Sequence, residues 1–132
     1  MRHKVIFRNW NCNMAGCLFL PDDFDEKKKY AALTICHPGG GVKEQTSALY
    51  AEGMAKAGFV VLTFDASHQG ESEGEPRLWD NPYERSEDVK CAVDFLTTLP
   101  YVNRECLGAI GSCAGAGYAI FATLTDRRIK AV

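Results

Sequence analysis

The sequence predicts an α/β fold: a mostly parallel sheet with helices on both faces and an antiparallel strand or hairpin at its N-terminal edge. Three observations carry this expectation. Continuous apolar runs at residues 30–36, 59–64 and 106–111 have the length and unbroken hydrophobicity of strands buried on both faces. Stretches with helical periodicity separate and follow these runs, and strands alternating with helices imply crossover units and a parallel sheet. Each run also ends in a loop rich in Gly or in polar residues, where the chain can turn.

Taken in order, residues 4–8 and 15–20 are short apolar runs separated by Asn9, Asn11 and Asn13, which predicts a hairpin or two short strands. Pro21-Asp22-Asp23 ends the second, and the charge cluster at 25–29 reads as a solvated loop. The strand at 30–36 stops at His37-Pro38-Gly39-Gly40-Gly41. Leu49, Tyr50, Gly53, Met54 and Ala57 then fall on one face of a helix that Gly58 terminates. After the strand at 59–64, residues 65–76 form a polar, Gly-rich loop. Asn81 and Pro82 supply a helix cap and first position, Val89, Ala92, Val93, Leu96 and Leu99 supply its apolar face, and Pro100 ends it. The strand at 106–111 leads into a helix at 114–124 so rich in Ala and Gly that it must pack closely, and residues 129–132 begin a further strand. No internal repeat, low-complexity segment or linker interrupts this order.

A chain of 132 residues, 46% hydrophobic and 24% charged, is long enough to bury one core, and is read as one domain or part of one. Its 15 Lys and Arg are balanced by 17 Asp and Glu spread along the chain, giving a net charge of −2 and no basic stripe for a phosphate backbone. Nucleic acid is therefore not an expected partner. No run approaches the roughly 20 apolar residues of a membrane span, so no membrane is expected and the chain is read as cytoplasmic. The six cysteines lack paired Cys-x-x-Cys spacing, so neither a metal site nor a cofactor is expected, and all six are read as reduced. Cys36, Cys91 and Cys106 are read as small apolar residues of strands and helix. Cys12 and Cys17 either pair across a loop or are unrelated thiols.

Gly111-Ser112-Cys113-Ala114-Gly115 follows the third apolar run and opens the small-residue helix. This is the layout of a nucleophile elbow with cysteine at its tip, a sharp strand-to-helix turn that raises the side chain above the sheet edge. Glycines two residues either side remove the Cβ atoms that would collide in so tight a turn. A thiol in the first turn also meets the positive end of the helix dipole, which favours the thiolate.

With His37-Pro-Gly-Gly-Gly41 and Asp65-Ala-Ser-His-Gln-Gly-Glu-Ser72 at the two preceding strand ends, the order and spacing of these loops resemble the first half of the α/β-hydrolase fold. The resemblance is to bacterial dienelactone-hydrolase-like members, and it runs over essentially the whole chain. It implies Cys113 as nucleophile, the Ala114 N–H as one oxyanion donor, and an N–H of Gly39 or Gly40 as the other. The enzyme reading is hydrolysis of a small acyl substrate, an ester, lactone or thioester, which the resemblance does not narrow further. Members of this type are considerably longer, and their acid and catalytic histidine lie after later strands. Only 17 residues follow Gly115 here and none is a histidine, so the acid and base carry over to no position.

His37 is the candidate for a Cys–His dyad with Cys113, because its loop lies beside the elbow in this fold. The resemblance implies instead that a histidine there braces the glycine loop. His68 lies one strand further away and His3 at the far edge of the sheet. Asp65 precedes the elbow, whereas the fold orders nucleophile, acid, base, so Asp65 is read as capping its loop. Asp126 is assigned to the turn with Arg127 and Arg128.

Residues 1–132 are thus read as a single α/β-hydrolase-like domain lacking the C-terminal half of the family fold. An open parallel edge beyond residues 129–132 and an uncovered small-residue helix are pairing hazards. A homodimer through the exposed C-terminal sheet edge would hide the edges of both copies at once. Two functions follow as expectations: hydrolysis through an acyl-Cys113 with an incomplete triad, or a catalytically inactive minimal fold that self-associates or binds a ligand. A truncated product that lost its function with its second half is the third reading.

Overall fold

The structure is a computed structural model that describes residues 1–132. In chain order the elements are β1 (Arg2–Arg8), β2 (Asn13–Phe19), β3 (Tyr30–Cys36), α1 (Thr46–Lys56), β4 (Val60–Phe64), α2 (Pro82–Thr98), β5 (Val102–Gly111), α3 (Ala114–Thr125) and β6 (Ile129–Ala131). The strands form one mixed sheet in the order β1-β2-β4-β3-β5-β6. β1 and β2 pair as an antiparallel hairpin and β2 runs antiparallel to β4, while β4, β3, β5 and β6 are parallel. No helix is long and apolar enough to cross a membrane.

Helices cover both faces. Ala48, Ala51 and Ala55 of α1 pack on Cys17, Phe19, Ile35 and Val61 on one side. On the other, Val89, Ala92, Val93 and Leu96 of α2 and Ala119 and Ala122 of α3 pack on Met14, Leu18, Ala32, Leu62, Phe64 and Leu107. α2 begins as its sequence dictates: the Asn81 side-chain oxygen accepts from the N–H groups of Tyr83 and Glu84, and Pro82 takes the first turn.

Three expectations need correction. α1 buries Ser47, Ala48, Ala51 and Ala55, whereas Leu49 and Tyr50 are exposed. Its buried face runs through these small residues, with Met54 partly packed beside them, so the small side chains and not Leu49 and Tyr50 set which side of α1 meets the sheet. β5 starts at Val102 rather than at 106, because a register shift between Tyr30 and Ala32 lets Tyr30 pair with Val102. That same irregularity leaves Cys106 exposed rather than packed in the strand. Cys12 and Cys17 are both buried free thiols.

The C-terminal side of the sheet ends in β6, three residues long, of which only Ile129 is buried. Ile120, Phe121 and Leu124 of α3 are exposed nearby in sequence.

Candidate active site

The sheet order places the carboxyl ends of β4, β3 and β5 side by side, so the three loops singled out in the sequence share one end of the molecule. The sharpest is the turn from β5 into α3. Cys113 there has φ 54° and ψ −124°, a conformation that costs a non-glycine residue on the order of 1–3 kcal/mol. The flanking glycines show what enforces it. A Cβ on Gly111 would overlap the carbonyl oxygen of Gly115, and a Cβ on Gly115 would overlap the carbonyl oxygens of Cys36 and His37. Ser112 N–H donates to Cys36 O (3.3 Å) and Gly115 N–H to Ser112 O (2.9 Å), tying the turn to the end of β3. The Cys113 side chain is left exposed.

Three unbonded backbone donors lie on the elbow and the loop facing it. As the first residue of α3, Ala114 has no intrahelical acceptor for its N–H, and that N–H makes no other hydrogen bond. The N–H groups of Gly39 and Gly40 are likewise unbonded. The Cβ position of Gly39 lies 3.6 Å from Ala114 Cβ and 3.4 Å from Asp80 Oδ2, so this loop and the elbow are in contact range. Gly40 has φ 68° and open space where a side chain would stand.

His37 is fully buried, and its ring is committed to the loops. Nε2 accepts from Ala66 N–H (3.0 Å), which places the ring proton on Nδ1, 2.6 Å from Pro38 O. Burial, helped by the nearby Arg85 charge, holds His37 below the usual histidine range, so it is neutral at pH 7. His68 sits in the loop after β4, which the β3 strand separates from β5. It has φ 70°, its Nδ1 lies 3.0 Å from Pro76 O, and its ring meets Trp79 edge-on. His3 lies on β1, the outermost strand.

Under these loops runs a buried polar frame. Asp65 accepts from Lys43 N–H (2.7 Å), Lys43 Nζ (2.6 Å) and Glu71 N–H (2.9 Å), and Lys43 Nζ also reaches Glu71 and Glu44. With three carboxylates around it, the Lys43 ammonium is held charged well above its ordinary range despite the cost of burial. From α2, Asp88 accepts from Ser67 N–H and Oγ (both 2.8 Å) and from Asn9 Nδ2 (2.9 Å). Burial raises its carboxyl, and these donors only partly offset that. Arg85, one turn earlier, donates to His37 O (2.6 Å) and to Asp80 Oδ1 (3.0 Å). Asp126 bonds Arg128, which lowers its carboxyl, while Arg127 is exposed.

Lys43, Arg85 and Asp88 escape a reading by polarity, which sends charges to solvent. For two of them a signal was present: Arg85 stands four residues before Val89 and Asp88 four before Ala92, in phase with the buried stripe of α2. A charge in the core phase of a helix marks a group that must be paired inside.

The sequence model of the dienelactone hydrolase family matches residues 14–132. The uncharacterized protein YcjY of Escherichia coli (strain K12) is 50% identical over 135 residues, covering 100% of this chain and 44% of its own length. The crystal structure of hypothetical protein PA2218 from Pseudomonas aeruginosa superposes with a TM-score of 0.95 at 45% identity, covering 100% of this chain and 41% of that one. Thiohydrolase aneE of Aspergillus aculeatus is 37% identical over 101 residues, 76% of this chain and 32% of its own. The chain therefore spans less than half the length of each of these relatives. The fold is that of the α/β hydrolases, and the chain belongs to the dienelactone hydrolase family.

Proposed function

We propose that Cys113 is the nucleophile of an acyl hydrolase site acting on a small ester, lactone or thioester. The observation that carries this is the elbow: an exposed cysteine at φ 54°, with the unbonded Ala114 N–H beside a Gly39 loop whose own N–H is also free. The thiolate attacks the carbonyl carbon, and the oxygen's developing charge is met by the Ala114 N–H and the Gly39 or Gly40 N–H. Collapse of the adduct breaks the bond to the leaving alkoxide or thiolate, which takes a proton from solvent, and leaves the acyl group on Sγ. Water then releases it. A thioester is the favoured substrate, in keeping with the thiohydrolase among the relatives. In this reading His37 is the brace of the loop, since its one lone pair is already used by Ala66 N–H. The free thiols suit a reducing, cytoplasmic setting.

Release of p-nitrophenol from p-nitrophenyl acetate, followed by stopped flow for the wild type and Cys113→Ala, tests the assignment. A burst of about one equivalent that disappears in the variant is expected, because thiolates acylate without a base while deacylation by unactivated water is slow. No difference between the two proteins would remove Cys113 from the mechanism.

A second reading rests on two separate observations, the exposed Ile120, Phe121 and Leu124 of α3 and the three-residue strand β6 at the sheet edge. It makes the chain a self-associating module, a homodimer joined through this side of the sheet. Sedimentation equilibrium checks it: a monomer across the micromolar range would discard it.

A further inference from the structure

Arg85 ties together three parts of the proposed site's support. Its guanidinium is 1% exposed. One nitrogen donates to His37 O at 2.6 Å, directly before the Pro38-Gly39-Gly40 loop. The other donates at 3.0 Å to Asp80, whose second carboxylate oxygen lies 3.4 Å from the Cβ position of Gly39 and 3.4 Å from the Tyr118 hydroxyl. The guanidinium carbon stands 4.7 Å from the Tyr118 ring centroid, and Tyr118 belongs to the helix that begins behind Cys113. The end of β3, the Asp80 rim and the elbow helix therefore meet on one planar cation.

We propose that Arg85 is a positioning residue for the oxyanion donors: it fixes the Gly39 loop against α3, so that the Gly39 and Ala114 N–H groups converge on one oxygen. The proposal rests on Cys113 acting as nucleophile with these donors. Chemistry argues for a role beyond stability. A buried arginine is expensive, and here its Nε–H has no acceptor at all. A methionine would fill similar space without that cost. What methionine cannot do is bind His37 O and Asp80 through N–H groups while presenting a cationic face to the Tyr118 ring, a task for which the planar guanidinium is suited. The His37 ring cooperates from the other side, holding Ala66 and Pro38, so the loop is clamped from both flanks.

Two reactions of the same sulfur separate positioning from folding. Alkylation of Cys113 by iodoacetamide needs the thiol but no oxyanion donors, whereas acylation by p-nitrophenyl acetate needs both. Arg85→Met and Arg85→Lys are compared with the wild type, with thermal unfolding recorded alongside. Acylation is expected to fall about tenfold to a hundredfold in Arg85→Met, with the lysine variant recovering part of the loss and alkylation unchanged. Equal losses in both reactions, or no loss in acylation, would overturn the proposal. Hydrogen–deuterium exchange of the two bonded amides that report on this loop, Gly41 N–H on Pro38 O and Ala66 N–H on His37 Nε2, gives a readout free of chemistry. Faster exchange there, with the elbow segment 111–116 unaffected, supports the positioning role; unchanged exchange overturns it. If the wild type shows no Cys113-dependent acylation, the nucleophile assignment fails, and the exchange result alone decides whether Arg85 positions the loop. Should Arg85→Met not fold, Asp80→Asn, which removes the carboxylate partner while keeping the arginine, is expected to show the same split at smaller size.

Discussion

Two loops at the same end of the sheet treat their polar groups in opposite ways. The loop after β4 turns inward: Asp65 gathers Lys43 and Glu71, Ser67 bonds Asp88, and Ser72 donates to Asp65 O. The loop after β3 and the turn after β5 leave the N–H groups of Gly39, Gly40 and Ala114 unbonded beside an exposed thiol. The difference teaches where rigidity and reactivity are separated. One loop turns most of its polar groups inward and becomes a foundation; the loop after β3 is tied to it through His37 and Lys43, and with the turn after β5 can offer donors to a guest.

The comparison breaks most visibly at Lys43. Lys43→Met would leave the buried Asp65 carboxylate without its ammonium and is expected to cost about 4 kcal/mol in urea unfolding. The alkylation rate of Cys113 in the folded fraction should stay as in the wild type, since the foundation contributes stability and not reactivity. Gly115→Ala works the other way: its methyl would collide with the Cys36 and His37 carbonyls. About 3 kcal/mol of stability should go, and acylation of Cys113 should go with it even where the protein remains folded. Retained acylation would mean that the elbow does not need this turn. At Gly40, φ 68° with open space around it, alanine should cost about 1.5 kcal/mol, read from the urea midpoint. The smallest effect is on pH. His37 in the fold is held below its unfolded value near 6.5, so below that pH the unfolded chain takes up a proton the folded one resists. The stability this group contributes is full above about pH 6.5 and should be lost progressively as the pH falls below it. His37→Gln should flatten that part of the profile.

Much of the foundation's architecture was legible because it is written in hydrophobic period and in turn residues. The apolar run of β4, all five residues buried, and the Asn81-Pro82 start of α2 were read directly. The elbow was legible because both glycines stand in one short pattern, although only Gly111 is compelled by the turn itself and Gly115 by the carbonyls of Cys36 and His37. The buried face of α1 was not, since which side of a helix meets the sheet is a tertiary matter that Leu49 and Tyr50 do not report. Nor was the frame of Lys43, Arg85 and Asp88: each is paired with groups distant in sequence, such as Arg85 with His37 and Asp88 with Asn9. Polarity alone cannot distinguish a charge in water from one compensated inside.

The collisions at Gly111 and Gly115 also bear on what a short pattern can certify. Both glycines are required by carbonyl oxygens of neighbouring strands and of the turn itself, and neither requirement refers to the sulfur between them. Replace Cys113 by serine or alanine and the same backbone curve would still demand the same glycines. The five-residue signature is therefore a fossil of steric exclusion: it dates the bend and is silent on the chemistry performed at its apex.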